Sequence, residues 1–325
     1  MQFKSFTKED FAFLKDNLDT TDLLGSDTSI ANLFLLQKKY NTKFCIYDGI
    51  FFRYYQGNRP GRHGYGFPLP LKNSDSSYLV KAYKLLEKDA AENKRPLDFC
   101  LFSLEQRNYM TKTIQDNFSN RLVNWNTDRA DSDYLYFQKN LSELPGTTFH
   151  KKKNHISRFY RTFENVFAFK KFPENKIESD MLSVAENWLE EKKQSTKILN
   201  EHADTETDDL KKLEDEKESI KTALECASIF SFTGGVLYIN GQPVGMTLAS
   251  PVSSDALDII YEKVLLSVAK EGGYAAINQL FAKTCKGYIY LNREEDLGIE
   301  GLRKAKLSYH PDILLDKFYG RVEKC

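Results

Sequence analysis

Apolar residues recur at helical spacing through Ile30, Leu33 and Phe34, directly after Asp27 and Ser29, residue types that suit a helix N-terminus. Continuous or alternating apolar runs then predict strands over Lys43 to Tyr47, Ile50 to Tyr55 and Gly64 to Leu69. A long helix is expected from about Ser76 to Ala91, where Leu79, Tyr83 and Leu86 share a face. Beyond it the pattern predicts a strand at Leu97 to Phe102, a helix at Leu104 to Asn117 and a strand at Leu122 to Trp125. In the second half Met181, Val184, Ala185 and Trp188 form another helical stripe, and a further helix runs from about Asp208 to Ser231. Val236 to Ile239 and Val244 to Leu248 read as strands around Asn240-Gly241, a pair that supplies the positive φ angles of a tight hairpin. A strand at Ala256 to Val264 completes a meander. It is followed by a helix carrying Tyr274, Ile277 and Phe281, a strand at Tyr288 to Leu291, a helix at Ile299 to Leu307 and a last strand near Ile313 to Phe318.

The two halves repeat one order: helices, three strands, helix, strand, helix, strand. This predicts an α+β chain of two successive domains, each a mixed, mostly antiparallel sheet flanked by helices, with a boundary near Pro145-Gly146. The expected division is 1–145 for the first domain and 146–325 for a basic linking helix plus the second. The order is that of the Gcn5-related N-acetyltransferase fold, the acyl-CoA N-acyltransferase-like architecture.

Composition narrows the picture. The 325 residues carry 46 Lys+Arg and 46 Asp+Glu, so no global charge draws the chain to nucleic acid or an anionic membrane. At 41% hydrophobic and 13% aromatic the chain has the apolar surface to fold, which excludes intrinsic disorder. No apolar stretch approaches the roughly 18 residues of a spanning helix, and the N-terminus lacks a secretory core segment, so a cytoplasmic location is expected. Cys45, Cys100, Cys226, Cys285 and Cys325 are far apart and odd in number, which fits buried thiols rather than a disulfide framework or a zinc site. No GxSxG, HExxH or paired metal-ligand spacing is present, so neither a triad hydrolase nor a metalloenzyme is expected, and no metal is.

Local segments carry the remaining chemistry. Between His150 and Phe163 lie Lys151, Lys152, Lys153, Arg158 and Arg161 without an acid, while Ile156, Phe159, Tyr160 and Phe163 form an apolar face. The helix reads either as a solvated face or as a phosphate-contacting ridge for RNA or lipid headgroups. The glycine-rich stretch Gly57 to Gly66, with Arg59, Arg62 and His63, matches no phosphate-loop pattern and reads as a strand connection. The acid-rich tract Asn200 to Ser219 reads as a solvated loop running into an exposed helix face. From Leu291 to Pro311, Asn292, Arg293, Glu294, Glu295 and Asp296 gather where a strand ends and a helix carrying Arg303 and Lys306 opens. That cluster serves either as a helix cap with ion pairs or as an acyl-transfer site, with a carboxylate base and cations for a phosphate or oxyanion. Asn278, on the apolar helix face with Tyr274 and Phe281, is a buried amide that must find partners.

Tyr134 to Arg161 and Leu291 to Pro311, and more weakly Ser26 to Tyr40, resemble the signature segments of soluble bacterial proteins grouped with the C-terminal domain of phosphatidylglycerol lysyltransferases. The resemblance extends over nearly the whole chain. It implies a tandem acetyltransferase-like fold and transfer of an aminoacyl group from aminoacyl-tRNA, with no further cofactor, to an amine or hydroxyl acceptor: a small molecule, a peptide or a lipid headgroup. On this reading Glu294 or Glu295 is the general base, Arg303 and Lys306 anchor phosphate or carboxylate, and Tyr309 is the proton donor. Lys153, Asn154 and Arg158 match the family signature and hold the tRNA end or orient the halves, while Asn278 and Asn292 complete the substrate contacts. Two departures bear on the substrates. The lipid-modifying relatives carry an N-terminal membrane-spanning region that this chain is expected to lack. Val264 to Gln279 also lacks the Arg/Gln-x-x-Gly-x-Gly/Ala loop that cradles the coenzyme A pyrophosphate, which disfavours acetyl-CoA. The alternatives are an acyl-CoA-dependent N-acyltransferase and a non-catalytic peptide- or RNA-binding module.

Overall fold

Local chemistry sets the first helix ends. Thr7 and Asp10 cap each other's backbone at the start of α1 (Lys8–Asn17), and Ser29 accepts from Asn32 N to open α2 (Ile30–Leu36). The β-rich segment that follows gives β1 (Lys43–Tyr47), β2 (Ile50–Gln56), β3 (His63–Tyr65) and β4 (Leu69–Pro70), so the strand expected over Gly64 to Leu69 is two short ones. Next come α3 (Tyr78–Glu92), β5 (Asp98–Phe102), α4 (Leu104–Asn117) with a capping box from Ser103 and Gln106, and β6 (Arg121–Thr127). In this computed structural model the described residues are 1–57, 62–75, 77–199 and 206–324; Arg59, Ser76, Cys325 and the start of the acid-rich tract lie outside them.

Contacts divide the chain into two units. The first is Met1–Tyr134 with Glu294–Arg303 and Ile313–Cys325; the second is Leu135–Arg293 with Lys304–Asp312. The expected division after residue 145 is thus drawn elsewhere, for a concrete reason. The C-terminal strand, β14 (Phe318–Lys324), belongs to the first unit, where it lies antiparallel between β5 and β6 with Phe318 opposite Thr127 and Lys324 opposite Arg121. The sheet there runs β1-β2-β3-β5-β14-β6, with β4 on β2. Its core is aromatic: Phe44, Phe51, Phe52, Phe99 and Phe102 are all at most 1% exposed.

The second unit contains β7 (Asp133–Phe137), α5 (Gln138–Glu143), the basic helix α6 (His150–Thr162), β8 (Phe167–Phe172), α7 (Glu178–Leu199), α8 (Glu206–Glu225) and α9 (Ala227–Phe230). The meander follows as β9 (Thr233–Ile239), β10 (Gln242–Pro251) and β11 (Ala256–Val264), with Asn240 and Gly241 at φ 50° and 76° in the hairpin turn. Then come α10 (Leu266–Ala269), α11 (Gly273–Thr284) and β12 (Tyr290–Asn292), followed by α12 (Glu300–Leu307), which enters this unit at Lys304, and a short β13 (Ile313–Leu315), which belongs to the first unit. The sheet order is β7-β12-β11-β10-β9-β8, antiparallel except that β11 and β12 run parallel. Their ladder covers only Ala256 to Asp258 against Tyr290 to Asn292; β11 continues to Val264 while β12 ends. The result is a mixed α+β architecture.

Helices α6 and α11 pack on this sheet through Phe159, Ile277, Leu237 and Val264. The two helices also meet closely at Gly272, which precedes α11 at φ 93°; a Cβ there would lie 2.2 Å from the His155 carbonyl oxygen. Both the left-handed backbone and the close approach demand glycine. Gly272→Ala is therefore expected to destabilise the protein by at least about 2 kcal/mol, a loss of roughly 4–8 °C in melting temperature, while Gly287→Ala, in open space, leaves it within about 2 °C. Equal thermal melts for the two variants would contradict this packing.

Candidate active site

Where β11 and β12 stop pairing, Glu262 and Arg293 bridge the opening. Arg293 Nη2 donates to Glu262 Oε1 at 2.9 Å, and Asn278 Nδ2 on α11 donates to Glu262 Oε2 at 3.2 Å. Asn278 is 1% exposed because it sits on the face of α11 that also buries Ile277 and Phe281. The Arg293 guanidinium lies 4.9 Å from the Tyr309 ring centre and 5.9 Å from that of Tyr136, two rings set nearly perpendicular. Tyr136 Oη donates to Lys306 O at 2.8 Å, and the Lys306 ammonium bonds Arg293 O. On the far side of the cluster, Lys152 Nζ lies 3.8 Å over the Tyr309 ring. Asn292 is fully buried at the end of β12. Thr247, opposite Glu262 on β10, is also buried. Among the described residues, Thr247 Oγ1, Asn278 Oδ1 and Arg293 Nη1 are buried with no hydrogen-bond partner.

Burial governs the electrostatics. It opposes the charge on Arg293, but the Glu262 carboxylate more than offsets that and holds the guanidinium protonated. The Tyr309 phenol is pushed up by burial against the opposing pull of Arg293, so it keeps its proton at neutral pH. Lys152 moves the other way: burial, then the Arg293 charge, lower it to about 8, with Glu262 offsetting only part. One carboxylate, one guanidinium, one phenol and one weakened ammonium thus face each other at a strand end. Such a set can polarise a carbonyl oxygen, hold an anionic group and move a proton.

Of the residues singled out in the sequence, Asn278, Asn292, Lys306 and Tyr309 come together here. Lys153 and Arg158 do not: their side chains donate to Gly146 O at 2.6 Å and Lys270 O at 3.1 Å, and Asn154 is exposed. Glu294, Glu295 and Arg303 belong to the first unit. There Glu294, at φ 57°, accepts from Asn32 Nδ2 at 3.0 Å, and Glu295 accepts from Arg62 Nη2 at 2.9 Å, the same guanidinium that binds Asp131. Arg303 forks onto the fully buried Asp296 at 2.8 and 3.0 Å, and Tyr134 Oη donates to it at 2.6 Å. Glu262, Arg293, Lys152 and Tyr136 were not chosen as site residues from the sequence. A signal existed for Lys152, since Phe149, Lys152, Ile156 and Phe159 fall at i, i+3, i+7 and i+10 on the buried side of α6.

The family model for the C-terminal region of phosphatidylglycerol lysyltransferases matches residues 20–320. The chain belongs to that family. A conserved protein of unknown function from Bacteroides thetaiotaomicron is 28% identical over 99% of this chain and 100% of its own, with a TM-score of 0.79. The C-terminal domain of a putative lysylphosphatidylglycerol synthetase from Agrobacterium fabrum shares the fold at 12% identity, covering 97% of this chain and 92% of its own, with a TM-score of 0.60. Among curated proteins, none matches significantly. Membership of that family supports an acyltransferase. Among the described residues no helix is long and apolar enough to cross a membrane, and no group of three or more His, Cys, Asp or Glu is placed to hold a metal.

Asp296 supplies a pH test for the first unit. Burial works against its ionisation, but hydrogen bonds from Arg303, Tyr134 and the Gly298 N–H outweigh it and hold the carboxyl well below the ordinary range. A depressed native pKa stabilises above the unfolded value of about 3.9, and that stabilisation is lost as pH falls further. Asp296→Asn is expected to cost roughly 2–4 kcal/mol at pH 7 and to lose less stability than wild type between pH 5 and 3, as followed by urea melts.

Proposed function

We propose that the second unit transfers an aminoacyl group from aminoacyl-tRNA to an amine or hydroxyl acceptor. The observation that carries this reading is the covering of the α11 N-terminus. A pyrophosphate bound at a helix N-terminus needs open backbone N–H groups and small residues around them. Here α6 lies against that turn: Arg158 donates to Lys270 O, and the His155 carbonyl oxygen fills the space above Gly272. Gly273 is enclosed by Val264 and Val268, with either methyl group 2.8 Å from where a Cβ would stand. On this reading the glycines serve helix packing instead of a pyrophosphate, whereas the polar cluster at the β11–β12 opening is free to take the ester.

In the reaction, the acceptor nitrogen or oxygen attacks the ester carbonyl carbon, and the bond from that carbon to the tRNA ribose oxygen breaks. Arg293 Nη1, which meets no hydrogen-bond partner among the described residues, holds the oxygen that gains charge. Tyr309, kept protonated by burial, donates to the leaving oxygen. Lys306 positions Arg293 through its backbone carbonyl. The exposed Lys151 and Arg161 on α6 are left to meet tRNA phosphates. Glu294 and Glu295, hydrogen-bonded to Asn32 and Arg62, are assigned to the first unit's stability instead of to proton transfer.

Isothermal titration with acetyl-CoA is expected to show no saturable binding below about 1 mM, near −4 kcal/mol. Labelled aminoacyl-tRNA should give acceptor-dependent transfer, reduced by roughly 10²–10³ in Arg293→Met. Glu295→Gln should lower the melting temperature and leave turnover within threefold. A micromolar dissociation constant for acetyl-CoA would overturn the donor assignment.

A further inference from the structure

Helix α6 carries one cation to its packed side. Phe149, Ile156 and Phe159 are buried at 5%, 6% and 0% exposure, and Lys152 shares their face, half-buried, while Lys151 and Lys153 on either side are exposed. Among the described residues no carboxylate or other acceptor meets the Lys152 ammonium. It lies over the Tyr309 ring at 3.8 Å, and Arg293 lies 4.9 Å from that same ring. The other ionisable groups facing it are Glu262, already bound to Arg293, Tyr136 across the ring cluster, and His155 on its own helix.

A desolvated ammonium beside a second cation, with no acceptor, is relieved by losing its proton. The site already holds a permanent cation in Arg293, so a second one is not needed to bind negative charge. A neutral amine, by contrast, is absent from the rest of the cluster and is what an acyl transfer to N–H or O–H requires. Burial and the Arg293 charge bring Lys152 to about 8, close to a working pH.

We propose that Lys152 is the proton acceptor of the transfer reaction, an inference that rests on the aminoacyl-transfer reading above. The acceptor's N–H or O–H gives its proton to Lys152 Nζ as the new bond to the ester carbon forms. The ribose oxygen leaves with the electron pair of the broken C–O bond and takes a proton from Tyr309. The Lys152 ammonium, against the Tyr309 ring, returns a proton to the phenolate, so both side chains end as they began.

Two measurements test this. Competitive labelling with acetic anhydride across pH 6.5–10, read by mass spectrometry, reports each lysine's titration midpoint. Lys152 is expected near 8, well below the value of about 10.4 that a lysine has in a free peptide. Lys152→Arg keeps a cation against the ring but cannot give up its proton at these pH values. It is expected to melt like wild type, to lose roughly 10²–10⁴ in turnover and to lack the ionisation near pH 8 in its rate profile. A Lys152 midpoint at the free-peptide lysine value, or an arginine variant with wild-type turnover from pH 7 to 9, overturns the proposal. A shifted midpoint in a wild-type protein that transfers no aminoacyl group overturns the aminoacyl-transfer reading and leaves the neutral amine standing.

Discussion

The second unit is organised by the ion pair between Glu262 and Arg293, set where two parallel strands separate. The β11–β12 ladder ends at Asp258 and Asn292, so Arg293 is the first residue past it and Glu262 stands four residues farther along β11. A partly buried ion pair is costly unless its remaining polar atoms are met. Asn278 meets the second Glu262 oxygen, and the Tyr309 and Tyr136 rings face the guanidinium. What is left over is directional: Arg293 Nη1, Asn278 Oδ1 and Thr247 Oγ1. A donor beside two groups able to accept, around one fixed carboxylate, is a site that a polar ligand completes.

The first unit uses buried charge differently. Lys317, 2% exposed, is raised above its ordinary pKa because Asp133 and Asp27 outweigh the cost of its burial. Arg62 is likewise shared between Asp131 and Glu295, and Tyr319 bonds Asp131 from another side. Here cations and carboxylates answer each other across segments far apart in the chain, from Asp27 to Lys317. That network ties the C-terminal strand to the N-terminal half, and its acids are committed to neighbours, unlike the ammonium of Lys152. The same residue types at a strand end thus build stability in one unit and leave reactive groups in the other.

The elements of the fold were readable because they depend on local periodicity and turn chemistry, as at the Asn240-Gly241 hairpin and the face of α11. The division into units was not, because nothing local marks Phe318–Lys324 as the partner of β5 and β6; that choice is made by pairing across some two hundred residues. Asn278, Asn292 and Lys306 could be picked out as polar residues on an apolar face or beside a strand end, whereas Tyr309 was reached only through the family resemblance. Glu262 was hidden as one of three charged positions, with Asp258 and Lys263, inside a single strand. Lys152 was hidden by its company, since a run of three lysines reads as solvated until the helix phase is followed from Phe149. Glu294 and Glu295 drew notice by clustering, and the structure gives each a hydrogen-bonding partner.

The most direct test is a crystal structure with a non-hydrolysable aminoacyl-adenosine, its ester replaced by an amide. The analogue's carbonyl oxygen is expected against Arg293 Nη1, with Tyr309 beside the ribose. Analogue bound instead in the first unit near Glu294 to Asp296, or coenzyme A seated at the α11 N-terminus with α6 displaced, would contradict the assignment.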